Sequence, residues 1–284
     1  MISVLASVLL AMPVAQQFDT TVTVRPGARL ELNNFEGSVT VTTWAKAAVR
    51  IQAEPDEEDE DERGVDVYLS GNTLSIRSGG RSGAQEIDYR LTVPADMALS
   101  INGQSGDVSI DGPKGEITVE TVEGEIKVNG GGGLISLRSV DGSVTLSGAK
   151  GRIDVNSVDG EISLANVSGE IHAESVDGAI TMDGVESSGV DAQSVDGEIS
   201  FRGTIKDGGR YRMVSHDGDV TVTVPALNAT ISVSTFSGNF DSDFPATLTG
   251  GVGGKRMNFT IGTGSARLEI ESFDGNVSLR KSTR

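Results

Sequence analysis

The chain has 284 residues and a formal net charge of −18. This excess of carboxylates argues against nucleic-acid binding, because phosphate contacts need clustered Lys and Arg, and equally against docking on an anionic membrane. Cysteine is absent, which excludes disulfides, thiolate metal sites and a lipid-anchor cysteine, whereas glycine is abundant with 37 residues.

The first fifteen residues have the composition of a signal peptide. Ile2 to Ala15 form an apolar run that ends in small residues and is too short to cross a bilayer as a helix. A basic leading segment is missing, so a buried first strand or a misplaced start codon is the alternative. We expect cleavage after residues 1–15, a mature chain that begins at Gln16 without membrane insertion, and export to the periplasm, the cell surface or the medium.

The segment 16–103 is expected to form irregular N-terminal strands. Apolar and polar residues alternate across 28–41, and again at 48–53, 65–69, 73–76 and 89–93. The intervening segment 55–63 reads PDEEDEDER, whose seven consecutive carboxylates repel one another and favour a solvated loop. A calcium loop needs alternating acidic positions and a glycine, and this run has neither.

Residues 104–203 carry a regular repeat. Glycine recurs every nine residues from Gly106 to Gly178, with Val or Ile two residues later and a mostly apolar residue four residues later. This is the period of short strands that are buried on one face and separated by turns. Ser-Val-Asp-Gly turns alternate with a second, variable turn, so one coil has about eighteen residues and two short strands.

Stacking such coils is what closes a hydrophobic core, as in other repeat proteins. The sequence therefore predicts an all-β fold, a single-domain β-solenoid over residues 16–284. Modified Ser-Val-Asp-Gly turns return at irregular steps at 215–218, 235–238 and 272–275. We expect residues 204–284 to form wider coils and a cap, because end repeats must cover exposed strand edges.

An acidic residue precedes the glycine of these turns. If the coils stack in register, the carboxylates lie along one corner at roughly the 4.8 Å spacing of paired strands. Asp-Gly is a favoured turn pair, so a structural role is one reading, and a polar ridge that binds a ligand or weakly binds cations is the other. The row consists of Glu123, Asp141, Asp159, Asp177, Asp196, Asp217 and Asp274.

The repeat predicts no catalytic residue, cofactor or metal site. Calcium-binding nonapeptide repeats place an aspartate two residues after a conserved glycine, but Val or Ile stands there in every unit from Val108 to Ile180. The adjacent residues Ser215, His216 and Asp217 cannot converge as a triad in a strand, because neighbours point to opposite sides. We expect a protein that is not an enzyme, and a polysaccharide lyase or hydrolase is the least favoured alternative.

The turns SVDGEISL, SVDGSVTL and SVDGAITM, with the opening ARLELNNFEGSVTVTTW, resemble a bacterial β-strand-repeat "putative adhesin" family of unknown function. The resemblance covers nearly all of the mature chain. It implies export and a β-solenoid, and the family has no catalytic motif to carry over. The acidic run at 56–62 departs from the family pattern.

The expected function is therefore that of an exported or cell-envelope solenoid that presents a polar surface to a protein or glycan partner. The alternative is a self-assembling scaffold whose ends stack, with end-to-end self-association resembling that of bactofilins. The outward positions expected to form the polar face are Glu125, Lys127, Glu161, Ser163, Glu170 and His172.

Overall fold

The computed structural model describes residues 18–55, 64–78, 86–245 and 256–282. The expected signal peptide and the acidic run at 56–63 lie outside these ranges. Every regular element within them is a β-strand, which confirms the all-β prediction. In these ranges no helix is long and apolar enough to cross a membrane.

The N-terminal strands follow the predicted alternation of apolar and polar residues. Leu30 and Leu32 are fully buried, whereas the residue between them is only half-buried. The strands are β1 Phe18–Thr23, β2 Arg29–Glu36, β3 Val39–Trp44, β4 Ala48–Pro55, β5 Val65–Ser70, β6 Thr73–Ser78 and β7 Ile87–Pro94.

The regular coils each give one strand to each of two sheets, which we call the front and back sheets. The front strands are β8 Ala98–Ser105, β10 Ile117–Glu123, β12 Gly132–Asp141, β14 Lys150–Asp159 and β16 Ser168–Asp177. The back strands are β9 Val108–Asp111, β11 Ile126–Asn129, β13 Val144–Ser147 and β15 Ile162–Ala165. The long strand β17, Ile180–Ser194, begins in the back sheet and ends in the front sheet.

The predicted eighteen-residue period is confirmed by the strand register. Ile117 pairs with Ile135, and Ile135 with Ile153, in parallel strands of the front sheet. Ile126 pairs with Val144 in the back sheet in the same way. These side chains are buried between the sheets, and apolar burial at about 25 cal/mol per Å² is the main force that holds the coils together.

The C-terminal region continues both sheets with wider coils. Its strands are β18 Ile199–Gly203, β19 Arg210–Ser215, β20 Val220–Val224, β21 Ala229–Thr235, β22 Phe240–Ser242, β23 Arg256–Ile261, β24 Ala266–Ser272 and β25 Val277–Lys281. One buried core extends from Val24 to Leu279 through the described strands.

At both ends the spatial order of the coils differs from their order in the chain. Strand β2 lies between β6 and β8, and β3 lies between β7 and β9. Strand β24 likewise lies between β19 and β21, and β25 lies between β20 and β22. Antiparallel pairs, such as β1 with β4 and β21 with β23, replace parallel pairing at the ends.

Candidate functional site at the Ser-Val-Asp-Gly corner

Glycine packs on glycine from coil to coil at the corner that leads from the front sheet to the back sheet. A Cβ at Gly142 would lie 2.1 Å from the carbonyl oxygen of Gly124, and a Cβ at Gly160 would lie 2.4 Å from that of Gly142. The clashing atoms are backbone, which has no rotamer to relieve the overlap. Gly160 lies outside the left-handed region, so crowding between coils is what requires glycine there.

The residue three positions before the glycine is a buried Ser or Thr, and at six of eight turns its hydroxyl group donates to a glycine carbonyl oxygen of the adjacent coil. Ser157 Oγ donates to Gly142 O at 3.2 Å, and Ser215 Oγ donates to Gly197 O at 2.9 Å. These hydroxyl groups thus link adjacent coils through side-chain hydrogen bonds. Ser139 Oγ is buried as well but has no hydrogen-bond partner among the described residues.

The next residue of these turns is exposed and is Val or Phe in seven of eight, with His216 in the other, which creates an exposed ridge. Ser139 pairs with Ser157 and Asp141 with Asp159, so Val140 stands directly beside the valine of the next coil. The five valines of the ridge are between 45% and 47% exposed. We define the apolar ridge as Val122, Val140, Val158, Val176, Val195, His216, Phe273 and Phe236.

Aromatic rings continue the ridge toward the C-terminal end. The His216 and Phe273 rings stack with centroids 5.0 Å apart, and Phe273 and Phe236 stack at 4.7 Å with an interplanar angle of 4°. Offset or parallel ring pairs contribute roughly 0.5–1.5 kcal/mol beyond the area that they bury. Chain order separates these three residues, and the insertion of β24 between β19 and β21 brings them together.

The predicted acidic row lies along this same corner, next to the apolar ridge. Glu123 pairs with Asp141, Asp141 with Asp159, and Asp159 with Asp177. The three later members continue the row through backbone hydrogen bonds between coils, such as Asp217 N to Val195 O at 2.7 Å. All seven side chains are exposed: Glu123, Asp141, Asp159, Asp177, Asp196, Asp217 and Asp274.

A groove of about 760 Å³ runs along the other side of the ridge. Outward polar residues of the front sheet form its far wall: Asn102, Glu120, Arg138, Asn156, Glu174 and Gln193. Arg138 lies 3.3 Å from Glu120 and 3.6 Å from Asp154, so part of this wall is an exposed ion-pair network. The groove thus has one apolar and one polar side, so it combines the apolar surface and the orienting polar groups that ligand-binding clefts use.

The polar face expected from the sequence is divided between the two sheets. Lys127 and Ser163 lie on the back sheet, whereas His172 lies on the front sheet. Consecutive strands of one coil face opposite ways, so outward residues nine apart cannot share a surface. The expectation of a single face made by Glu125, Lys127, Glu161, Ser163, Glu170 and His172 is therefore wrong.

The sequence analysis did not identify the apolar ridge, although the alternation of inward and outward residues along each strand predicts it. Ile117, Val119 and Thr121 point inward, so Val122 must point outward. The described residues contain no group of three or more His, Asp or Glu arranged to hold a metal ion. Ser215 is 1% exposed and faces the backbone, while His216 is stacked in the ridge, so these neighbours do not converge.

Several solved structures match the chain at low identity. A "putative adhesin" from Bacteroides fragilis NCTC 9343 is 15% identical with a TM-score of 0.46, and 94% of this chain and 98% of that chain align. A "putative adhesin" from Parabacteroides distasonis ATCC 8503 is 9% identical with a TM-score of 0.48, over 93% and 98%. A "putative lipid binding protein" from the same organism is 11% identical with a TM-score of 0.37, over 93% and 97%.

With TM-scores below 0.5, these likenesses support no conclusion about what the chain binds. No protein of curated description matches the chain significantly. The model of one family, described as Toastrack DUF4097, matches residues 28–280. That match spans the N-terminal coils, the regular repeats and the C-terminal coils, and the chain belongs to the Toastrack DUF4097 family.

Proposed function

We propose that the protein is a non-enzymatic binding protein, exported to the cell envelope or secreted, that holds a protein or glycan partner along the Ser-Val-Asp-Gly corner. The observation that carries the proposal is the apolar ridge, which is contiguous over eight coils and borders a groove. Isolated exposed apolar residues are ordinary, but a continuous exposed row flanked by polar residues is typical of interaction sites.

The charges beside the ridge restrict the partner. The acidic row follows one flank, and the groove wall on the other flank mixes Glu120 and Glu174 with Arg138. An anionic partner would meet like charges along the whole corner, so a neutral or basic partner is favoured. A neutral glycan or a protein segment with Lys or Arg beside apolar residues has this chemistry.

The proposal is tested by capture from envelope material with the purified mature chain at low and moderate salt. The ridge variant carries Val140→Ser, Val158→Ser and Val176→Ser. The control variant carries Leu69→Ser and Leu134→Ser, which remove exposed apolar side chains elsewhere. We expect the wild type and the control to retain one partner that the ridge variant loses. Absence of any enriched protein or glycan, or equal capture by the ridge variant, would overturn the proposal.

Export, the absence of catalysis and self-association are each tested by a separate experiment. Cell fractionation with intact-mass measurement of the native protein should show a mature chain that begins at Gln16. A panel of acidic and neutral polysaccharides should release no new reducing ends and no unsaturated sugar. End-to-end self-association would appear as concentration-dependent light scattering, whereas a stable monomer would exclude it.

A further inference from the structure

A second recess lies at the variable corner near the N-terminal end, on the opposite edge of the coils from the apolar ridge. Its volume is about 390 Å³, which is within the range of roughly 300–1,000 Å³ for small-molecule sites. The turns at 25–28, 44–47 and 94–97 enclose it, together with Lys114 from the adjacent coil.

Hydrogen bonds hold the walls of this recess in place. Trp44 Nε1 donates to Ala48 O at 2.7 Å, which fixes the indole ring of the only tryptophan in the chain. Trp44 stands opposite Pro94 in the strand register. Lys114 N donates to Ala95 O at 2.6 Å, so the cationic residue is anchored to the turn that faces it. The recess is thus formed before any ligand arrives.

The charge of the recess is opposite to that of the molecule. Its described lining contains the cations Arg25, Lys46 and Lys114 but only one carboxylate, Asp96, whereas the whole chain carries a formal charge of −18. Lys46 Nζ lies 4.6 Å from the centroid of the Trp44 ring, where a cation–π contact positions the ammonium group. A local excess of cations attracts anions even in an acidic protein, because exposed charges farther than about 10 Å are screened.

The remainder of the lining is apolar. Pro26, Ala28, Pro94 and Met97 form walls beside Trp44. A ligand that fills this space must therefore combine an anionic group with an apolar body. Inorganic anions would satisfy only the cations, and neutral apolar compounds would leave the cations without a counter-charge.

We propose that this recess, the Trp44 pocket, binds amphiphilic anions, in which a phosphate or carboxylate is held by Arg25, Lys46 and Lys114 and an aliphatic or ring-shaped body packs on Trp44. The pocket is separate from the apolar ridge, so it adds a small-ligand site to a protein whose partner lies on another surface. The same head group occurs in free alkyl phosphates and in anionic lipids, which are the two possible sources.

Tryptophan fluorescence tests the proposal directly, because Trp44 is the sole tryptophan emitter. The full chain is titrated with octyl phosphate, octanoate, octanol and inorganic phosphate. We expect a saturable change with the two amphiphilic anions, and binding weaker by at least about tenfold for octanol and for inorganic phosphate. Equal binding of octanol, tight binding of inorganic phosphate alone, or no change with any anion would overturn the proposal.

Paired lysine variants test whether octyl phosphate binds in the Trp44 pocket. Lys46→Gln with Lys114→Gln should weaken octyl phosphate binding by at least about tenfold. Lys150→Gln with Lys281→Gln removes the same charge from exposed sites elsewhere and should leave binding unchanged. Far-ultraviolet circular dichroism checks that both variants are folded, and equal loss in both would contradict the assigned site. Competition by phosphatidylglycerol vesicles would identify a lipid head group as the source, and its absence would identify a soluble anion.

Discussion

At the scale of single residues, the glycines of the Ser-Val-Asp-Gly corner differ from a glycine within a front strand in how closely the next coil approaches the position of a Cβ atom. A Cβ at Gly160 would meet a backbone oxygen at 2.4 Å, whereas the nearest atom to a Cβ at Gly103 is Thr121 Oγ1 at 3.6 Å. Neither backbone is in the left-handed region, so the two substitutions compare crowding alone.

We predict that Gly160→Ala lowers the free energy of unfolding by about 1–3 kcal/mol, the usual cost of overpacking a rigid site. Gly103→Ala should be neutral or should stabilise by up to about 1 kcal/mol, because alanine restricts the unfolded chain. Urea unfolding followed by circular dichroism measures both. Similar destabilisation by the two substitutions would show that coil-to-coil glycine contact is not the cause.

Ionisation of the buried residue Tyr89 should make the stability of the fold depend on pH. Its side chain is fully buried, and burial raises the pKa of its phenol to about 12, although the Ser78 hydroxyl 3.0 Å away opposes part of the rise. The folded pKa is above the unfolded value of about 10, so this stabilisation is complete below pH 10 and is lost as pH rises toward 12.

The expected loss is about 2–3 kcal/mol in the free energy of unfolding across that range. The phenylalanine variant Tyr89→Phe should decline less steeply between pH 9 and 12. Burial also raises the pKa of Tyr211, so the variant should retain part of the decline. Identical pH profiles for the wild type and the variant, measured by urea unfolding, would rule out Tyr89 as the titrating group.

At the scale of the repeated element, the sequence predicts which side chains face inward but not which surfaces form between coils. The nine-residue glycine spacing and the alternation of apolar residues specify the strands and the eighteen-residue coil, since both depend on local period. The position of the acidic row along one corner follows from the same period, because each acidic residue directly precedes a glycine of the turn. The Trp44 pocket does not follow from it, because its turns come from coils that are distant in the chain.

The stacking of the acidic row predicts a salt-dependent stability. Asp159→Asn removes one charge between Asp141 and Asp177, so it should raise the free energy of unfolding by about 0.2–1 kcal/mol at low salt. The gain should vanish near 1 M salt, where the Debye length is about 3 Å. Urea unfolding at two salt concentrations provides the measurement.

The opposite corner supplies a control for this prediction. Glu170 pairs with Arg152 in the strand register, so Glu170→Gln removes an attraction and should destabilise slightly at low salt. Substitution effects of the same sign at both positions, or a salt-independent effect at Asp159, would contradict repulsion along the row.

At the scale of the whole molecule, long-range pairing decides the arrangement of the ends. The alternation of residues determines which face each strand buries, but it does not determine whether a strand pairs within the neighbouring coil or with a strand farther away in the chain. The last chain segment, β24 with β25, is therefore enclosed by strands on both sides, although it stands at the end of the sequence. Among the described strands, β23 lies at one spatial end of the front sheet, where β21 is its strand partner.

This order predicts an unusual pattern of amide hydrogen exchange. In a solenoid with sequential coils, the final segment is the outermost and opens first. Here the amides of β24 should exchange about as slowly as those of β14, because both strands are hydrogen-bonded on both sides. The amides of β23 should exchange at least about tenfold faster, since within the described part of the chain this strand pairs on one side, with β21. Mass spectrometry of peptic fragments resolves the three strands, and faster exchange in β24 than in β23 would mean that the final coil is not enclosed.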